Sequence, residues 1–223
     1  MSEVIAGGLY DQWIEYVFNR PITPNGWYFD FDLDAEPFEA SPSEATKLVA
    51  ETCKRAETDL IKFSDEQVDA GLNFIFNDAC SRVVFDIKDL SVPDALRLEC
   101  IDAIYSLYEG CYRLRCTESL SHLNEKPDTP LNNSCYMLWD VSALAFWKDD
   151  QKMYYSAVIS LLGRVLNIPH QACMESALHG LGHIYDDAPE EVEAVIDAWL
   201  RANKTQRPEL LTYAKAARVG HVQ

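Results

Sequence analysis

The sequence predicts an all-α fold of stacked antiparallel helical hairpins, about eight or nine helices in one domain spanning residues 1–223. Helix-start signals recur along the chain, the apolar residues between them fall three or four apart, and strand-like alternation is nearly absent. With 48% hydrophobic and 25% charged residues, the chain has the composition of a packed protein rather than a disordered one.

Helices are expected near 8–19, 42–61, 65–80, 92–116, 131–147, 150–166, 170–186 and 189–202, with a ninth from 208 to the end. In "SPSE" Ser41 is the N-cap, Pro42 the first helical residue and Glu44 the return partner of a capping box. Ser64 and Gln67 repeat the box in "SDEQ". Ser91 with Pro93, Pro169 after Asn167 and Ile168, Pro189 and Pro208 mark later starts. Between 92 and 116, Leu98, Ile101, Ile104, Tyr105, Tyr108, Cys111 and Tyr112 form one apolar stripe, and "MYYSAVISLLGRVLNI" and "EEVEAVIDAWLRA" behave alike. Residues 20–40 form an irregular N-terminal segment in which "WYFDFDL" reads as extended or as one short strand, with Trp27 expected to pin it to the helices. The polar, proline-bearing loop 121–134 is the candidate internal boundary.

An internal match supports stacking. "AIYSLYEG" at 103 and "ALHGLGHI" at 177 agree in step, and each helix follows an aliphatic–proline pair, Val92-Pro93 and Ile168-Pro169. The separation is near two units of about 37 residues, close to the HEAT and armadillo range. A HEAT-like α-solenoid is the expected architecture.

The stretch "ESALHGLGH", residues 175–183, raises the functional question. On a helical wheel Cys173, Met174, Ala177, Leu178, Leu181, Ile184 and Tyr185 occupy an arc of about 140°. Gly180 and Gly182 lie just outside its two edges. A helical glycine costs about 0.5–1 kcal/mol against alanine, so close approach of neighbours on both flanks is expected. Opposite the arc, Glu175, His179, His183 and Asp186 form a polar stripe, and the wheel argues against a core histidine. The stripe reads as a metal site, as a solvated face, or as a contact surface along a helical stack. Against metal, Gly180 stands where an HExxH motif has its glutamate, and the paired ExxH of di-iron bundles is missing.

Charge and cysteine usage narrow the function classes. Nineteen basic and 36 acidic residues give a net charge of −17, which disfavours nucleic acid and favours a protein partner with a basic surface. No apolar run approaches the roughly 18 residues of a membrane-spanning helix. "MSEVIAGGLYDQWIEY" lacks the regions of a secretory signal, so a cytoplasmic location without membrane contact is expected. The seven cysteines, 53, 80, 100, 111, 116, 135 and 173, include no CxxC pair and suit buried free thiols. Cys111, Cys116, His122 and Cys135 can be written as a zinc set, but only the first pair has structural-zinc spacing. GxSxG, P-loop and Rossmann glycine patterns are absent. Cys173 lies on the apolar arc away from His179, so no thiolate pair is expected there. The acid pairs Asp149-Asp150 and Asp186-Asp187, and Glu190, Glu191 and Glu193 after Pro189, suit loops and a helix N-terminus.

"CMESALHGLGHIYDD", "IDAWL", "PELLTYAKAA" and "GHVQ", with "SLSHLNE" and "LNNSCYMLWD" upstream, cover much of residues 90–223. In these segments the chain resembles an uncharacterised bacterial all-helical family that carries the ALHGLGH stretch. The resemblance implies a HEAT-like helical fold and no particular activity.

The expected function is a non-catalytic protein–protein interaction module without cofactor or metal, binding through Glu175, His179, His183 and Asp186. One concrete form is a bacterial immunity protein that masks the basic surface of a cognate toxin. The alternatives are a metalloenzyme using the His179/His183 pair with Glu175 or Asp186, and a scaffold subunit of a larger assembly.

Overall fold

The computed structural model describes residues 7–30, 36–148 and 153–222. The described residues form helices, turns and loops, without a strand. The helices are α1 (Gly7–Phe18), α2 (Pro42–Lys54), α3 (Ala56–Asp59), α4 (Asp65–Phe76), α5 (Val83–Lys88), α6 (Asp94–Leu107), α7 (Arg113–Arg115), α8 (Leu131–Met137), α9 (Met153–Val165), α10 (Gln171–Ile184), α11 (Pro189–Ala202) and α12 (Pro208–Ala217). The tail of "WYFDFDL", the Asp149-Asp150 pair and the first residues of the helix expected from 150 lie outside the described residues.

Local chemistry sets four of the starts. Ser41 and Ser64 each accept from the backbone three residues on, and Glu44 and Gln67 return the bond to the cap N–H. Each such cap contributes about 1 kcal/mol. Pro189 and Pro208 stand in the first turn of α11 and α12, where a missing N–H is harmless. Ser91 differs: it bonds Asp89, and α6 begins after Pro93.

Four expected helices are remodelled. The 42–61 segment breaks at Arg55 (φ −104°, ψ 13°), which separates α2 from α3. The 65–80 helix stops at Phe76, because the Asn77 side chain accepts from Ala79 N at 3.0 Å and forms a turn instead. The 92–116 path widens into a π turn at Tyr108–Tyr112 between α6 and α7. There Gly110 meets the α3 backbone, and a Cβ on it would lie 3.0 Å from Glu57 N. The 131–147 helix ends at Met137; farther on, Ser142 Oγ accepts from Leu144 N at 3.3 Å and starts a short 3-10 turn, Ala143–Ala145.

In the packing, α6 lies against both α2 and α9, while α10 is surrounded by α8, α9, α11 and α12. Buried apolar side chains run as one cluster from α1 to α12. Trp27 pins the irregular segment as expected, packing edge-on to Tyr16 (ring centroids 5.4 Å apart) and against Phe74 (4.8 Å). Both glycine flanks of α10 are filled. A Cβ on Gly180 would fall 2.7 Å from Trp139 Cγ, and one on Gly182 would collide with Val222. Among the described residues, no helix is long and apolar enough to cross a membrane.

Candidate metal centre

The polar stripe of α10 is not a solvent-facing row. Glu175 and His179 are 0% and 1% exposed; His183 is partly exposed and only Asp186 faces water fully. A wheel reports which residues share a face but not what covers it. Here α8, α12 and the loop before α8 cover the face that the sequence leaves to solvent. The expectation against a core histidine is therefore corrected.

Glu175 is a buried carboxylate whose oxygens are met by donors. Ser121 N and His122 N donate to it at 2.9 and 3.0 Å, and His122 Nδ1 lies 2.5 Å away. Such saturation is what allows a carboxylate to be buried. The loop that supplies these donors is held in turn by Glu125, which accepts from Leu120 N at 2.7 Å and pairs with Arg207 at the foot of α12. Residues 121–134 thus close over α10.

One turn further along α10 the arrangement changes. His179 Nδ1 lies 2.6 Å from Tyr213 Oη, which is 3.2 Å from Tyr136 Oη. Its other nitrogen, Nε2, lies 3.1 Å from His183 Nε2, and His183 Nε2 lies 3.2 Å from an Asp140 carboxylate oxygen. Burial, aided by the neighbouring His183 and His122, pushes the His179 pKa down to about 3, so its ring is neutral at neutral pH. Burial also raises the Tyr213 phenol well above its ordinary range, so it remains a protonated hydroxyl.

His179 Nε2 and His183 Nε2 face one another at 3.1 Å, a contact that one ring's N–H donating to the other ring, or a cation between the two, can satisfy. Ligand atoms of Asp140, His179 and His183 all lie within 4.8 Å of one another. Around a tetrahedral zinc with bonds of about 2.0–2.1 Å, neighbouring ligand atoms stand about 3.3 Å apart. The observed 3.1 and 3.2 Å separations match such edges. Outside this set, Tyr213 sits where the His179 Nδ1–H would donate, the position that fixes the tautomer of a metal-ligating histidine. The donor set and its surroundings fit a borderline divalent ion.

No protein-family model, curated protein or solved structure matches this chain.

Of the four residues predicted for the site, His179 and His183 come together, Glu175 serves the His122 loop, and Asp186 stays outside on the surface. Sequence reasoning missed Asp140, Tyr136 and Tyr213. Asp140 comes from the turn after α8 and Tyr213 from α12, so no local spacing links either to α10. Cys111, Cys116, His122 and Cys135 do not assemble as a metal group; among the described residues Asp140, His179 and His183 are the one cluster with that geometry.

Proposed function

We propose that this chain binds one divalent transition ion, zinc by preference, through Asp140, His179 and His183, and that the ion serves metal-assisted hydrolysis. The observation that carries the reading is the pair of 3.1 and 3.2 Å separations among three ligand atoms from Asp140, His179 and His183. Three protein ligands with Asp140 and His183 reaching solvent (38% and 23% side-chain exposure) leave a coordination position open, as in catalytic rather than structural zinc sites. An ion there supplies Lewis acidity toward a carbonyl or phosphoryl oxygen. The chain's own part is to hold His179 in one tautomer through Tyr213 and Tyr136.

The test is calorimetric titration of chelator-stripped protein with zinc. One site per chain is expected, weakened at least a hundredfold in His183→Ala, since even outer-shell partners contribute about 10–100-fold. Absence of binding, or binding in His183→Ala and Asp140→Ala as tight as in the unsubstituted protein, contradicts the reading.

A second reading, the protein interaction module, is favoured by the turn between α10 and α11. Asp186, Asp187, Glu190 and Glu191 are all exposed there, beside a hollow of about 330 Å³ that Tyr155 and Pro189 also line. A basic protein surface suits this edge, whether of a toxin or of a larger assembly. In this reading the successive pairs α9/α10 and α11/α12 are stacked hairpins of HEAT-like kind. Capture of one basic protein that weakens as salt rises and is lost on Glu190→Lys/Glu191→Lys supports it; a salt-independent capture, or none, removes it.

A further inference from the structure

The irregular segment 20–29 and one face of α4 line a hollow of about 470 Å³, with Pro130 from the loop before α8 beside them. Its size is that of a small-molecule site, about 300–1,000 Å³, and none of the three proposed metal ligands lines it. Glu66, Asp69 and Asn73 reach it from successive turns of α4, three and four residues apart on one face. Arg20, Thr23, Trp27, Tyr28 and Phe29 come from the segment. That wall is held in place. Gln67 Nε2 donates to Arg20 O at 3.1 Å and ties the segment to α4. Gly26 takes a φ of 86°, and a Cβ on it would lie 2.5 Å from Tyr28 Cζ, so the turn that folds this ring back requires glycine.

The charges that line the hollow are left unmatched. Elsewhere on α1 and α4, Glu15 pairs with Lys62 at 2.7 Å and Asp65 with Arg115 at 2.6 Å. Among the described residues, Glu66, Asp69 and Arg20 have no ion-pair partner of this kind. Arg20 instead donates to Tyr16 O and lies over the Tyr16 and Trp27 rings, 4.2 and 4.6 Å from their centroids. Burial, with the Glu66 charge adding to it, pushes the Asp69 carboxyl up to about 6, the direction taken by a carboxylate that no cation neutralises. Two polar atoms of the segment are also unused. Trp27, 4% exposed, has its Nε1 buried without a hydrogen-bond partner, and so has Thr23 its Oγ1. A buried donor without an acceptor is rare in a finished core and calls for an explanation.

We propose that this hollow binds a free basic amino acid of the lysine or arginine type. Two carboxylates and one guanidinium line it, the inverse of a ligand that carries two cationic groups and one carboxylate. The cationic groups of the ligand face Glu66 and Asp69. Its carboxylate faces the Arg20 side, where the Trp27 indole N–H and the Thr23 hydroxyl donate. Its methylene stem lies along Tyr28 and Phe29, which stand edge-on with ring centroids 4.9 Å apart. Phe29 is 46% exposed, and the stem covers it. No metal ion takes part.

Calorimetric titration of the full chain with L-lysine and L-arginine tests this, beside two partial ligands. Norleucine keeps the stem but lacks the terminal ammonium; cadaverine keeps both ammonium groups but lacks the carboxylate. One site per chain is expected for lysine or arginine, with norleucine and cadaverine each weaker by at least about tenfold, the worth of one charge-assisted hydrogen bond. Asp69→Asn and Glu66→Gln should each weaken the better-bound amino acid by about tenfold. Glu66 is exposed, so Glu66→Gln carries the test if thermal melts show that Asp69→Asn does not fold. No saturable binding of lysine or arginine, unchanged affinity in Glu66→Gln, or norleucine or cadaverine binding as tightly as the amino acid overturns the proposal.

Discussion

Arg97 and His179 are buried almost equally, at 2% and 1% exposure, and they meet that burial in opposite ways. Arg97 is surrounded by acceptors: Ile87 O at 2.9 Å, Asp89 O at 2.5 Å, Val92 O at 3.1 Å, Asp94 at 3.0 Å, and the Tyr154 hydroxyl. Its guanidinium fork is matched, and what it does is join the α5–α6 turn to α9. His179 has a hydroxyl on one nitrogen, while the other faces a second ring nitrogen with a carboxylate just beyond it. A buried cation with all its acceptors in place is a structural staple. Acceptors that converge on one point, with His179 buried and His183 and Asp140 reaching solvent, suit a cation from outside.

Mutation should separate the two centres most sharply at Arg97. Arg97→Met removes the donor to three carbonyls and to Asp94, and is expected to lower stability by about 3–5 kcal/mol in urea unfolding. His183→Ala, on a partly exposed residue, should change metal-free stability by less than about 1 kcal/mol. A large loss at His183 would make the histidine cluster a staple as well.

Acid provides the next largest effect. An unfolded imidazole takes its proton near the model value of 6.5, but folded His179 does so only near 3. Between these values the unfolded state binds more protons, so stability falls as pH falls, by about 1.4 kcal/mol per pH unit from this group. Chemical denaturation of metal-free protein at pH 6.5 and pH 4.5 measures the drop. The part due to His179 is the difference from His179→Gln, which should show a shallower pH dependence.

Gly180→Ala tests the packing that carries the cluster. Its Cβ would sit 2.7 Å from the Trp139 ring, which is fully buried and donates through Nε1 to Tyr108 Oη at 2.9 Å. The ring has nowhere to move, so a thermal-melt loss equivalent to about 1–3 kcal/mol is expected. Gly8→Ala, with nothing within 4 Å, should be neutral or mildly stabilising. The smallest effect is on tuning: Tyr213→Phe removes the hydroxyl behind His179 and should weaken zinc binding about tenfold in the same calorimetric titration.

What the sequence made legible follows from the range of each interaction. Capping boxes at Ser41 and Ser64 and proline starts at 189 and 208 are decided within a turn of helix, and they stand as read. The expected 131–147 helix ends early because Ser142 satisfies the backbone locally in a non-helical way, its Oγ accepting from Leu144 N. His179 and His183 were visible as an i, i+4 pair. Their third ligand was not, because Asp140 reaches them through space from another element. The wheel sets Cys173 apart from His179, and in the fold His179 meets Tyr213 and His183 instead.

The most direct test of the metal centre is nitrogen-detected NMR of the five histidine rings during zinc titration of metal-free protein. A zinc-ready centre requires His179 to carry its proton on Nδ1, and requires the Nε2 signals of His179 and His183 to shift together and saturate at one equivalent, with His122, His170 and His221 unmoved. Unchanged His179 and His183 signals at saturating zinc would mean that the two rings share a proton and that no ion belongs between them.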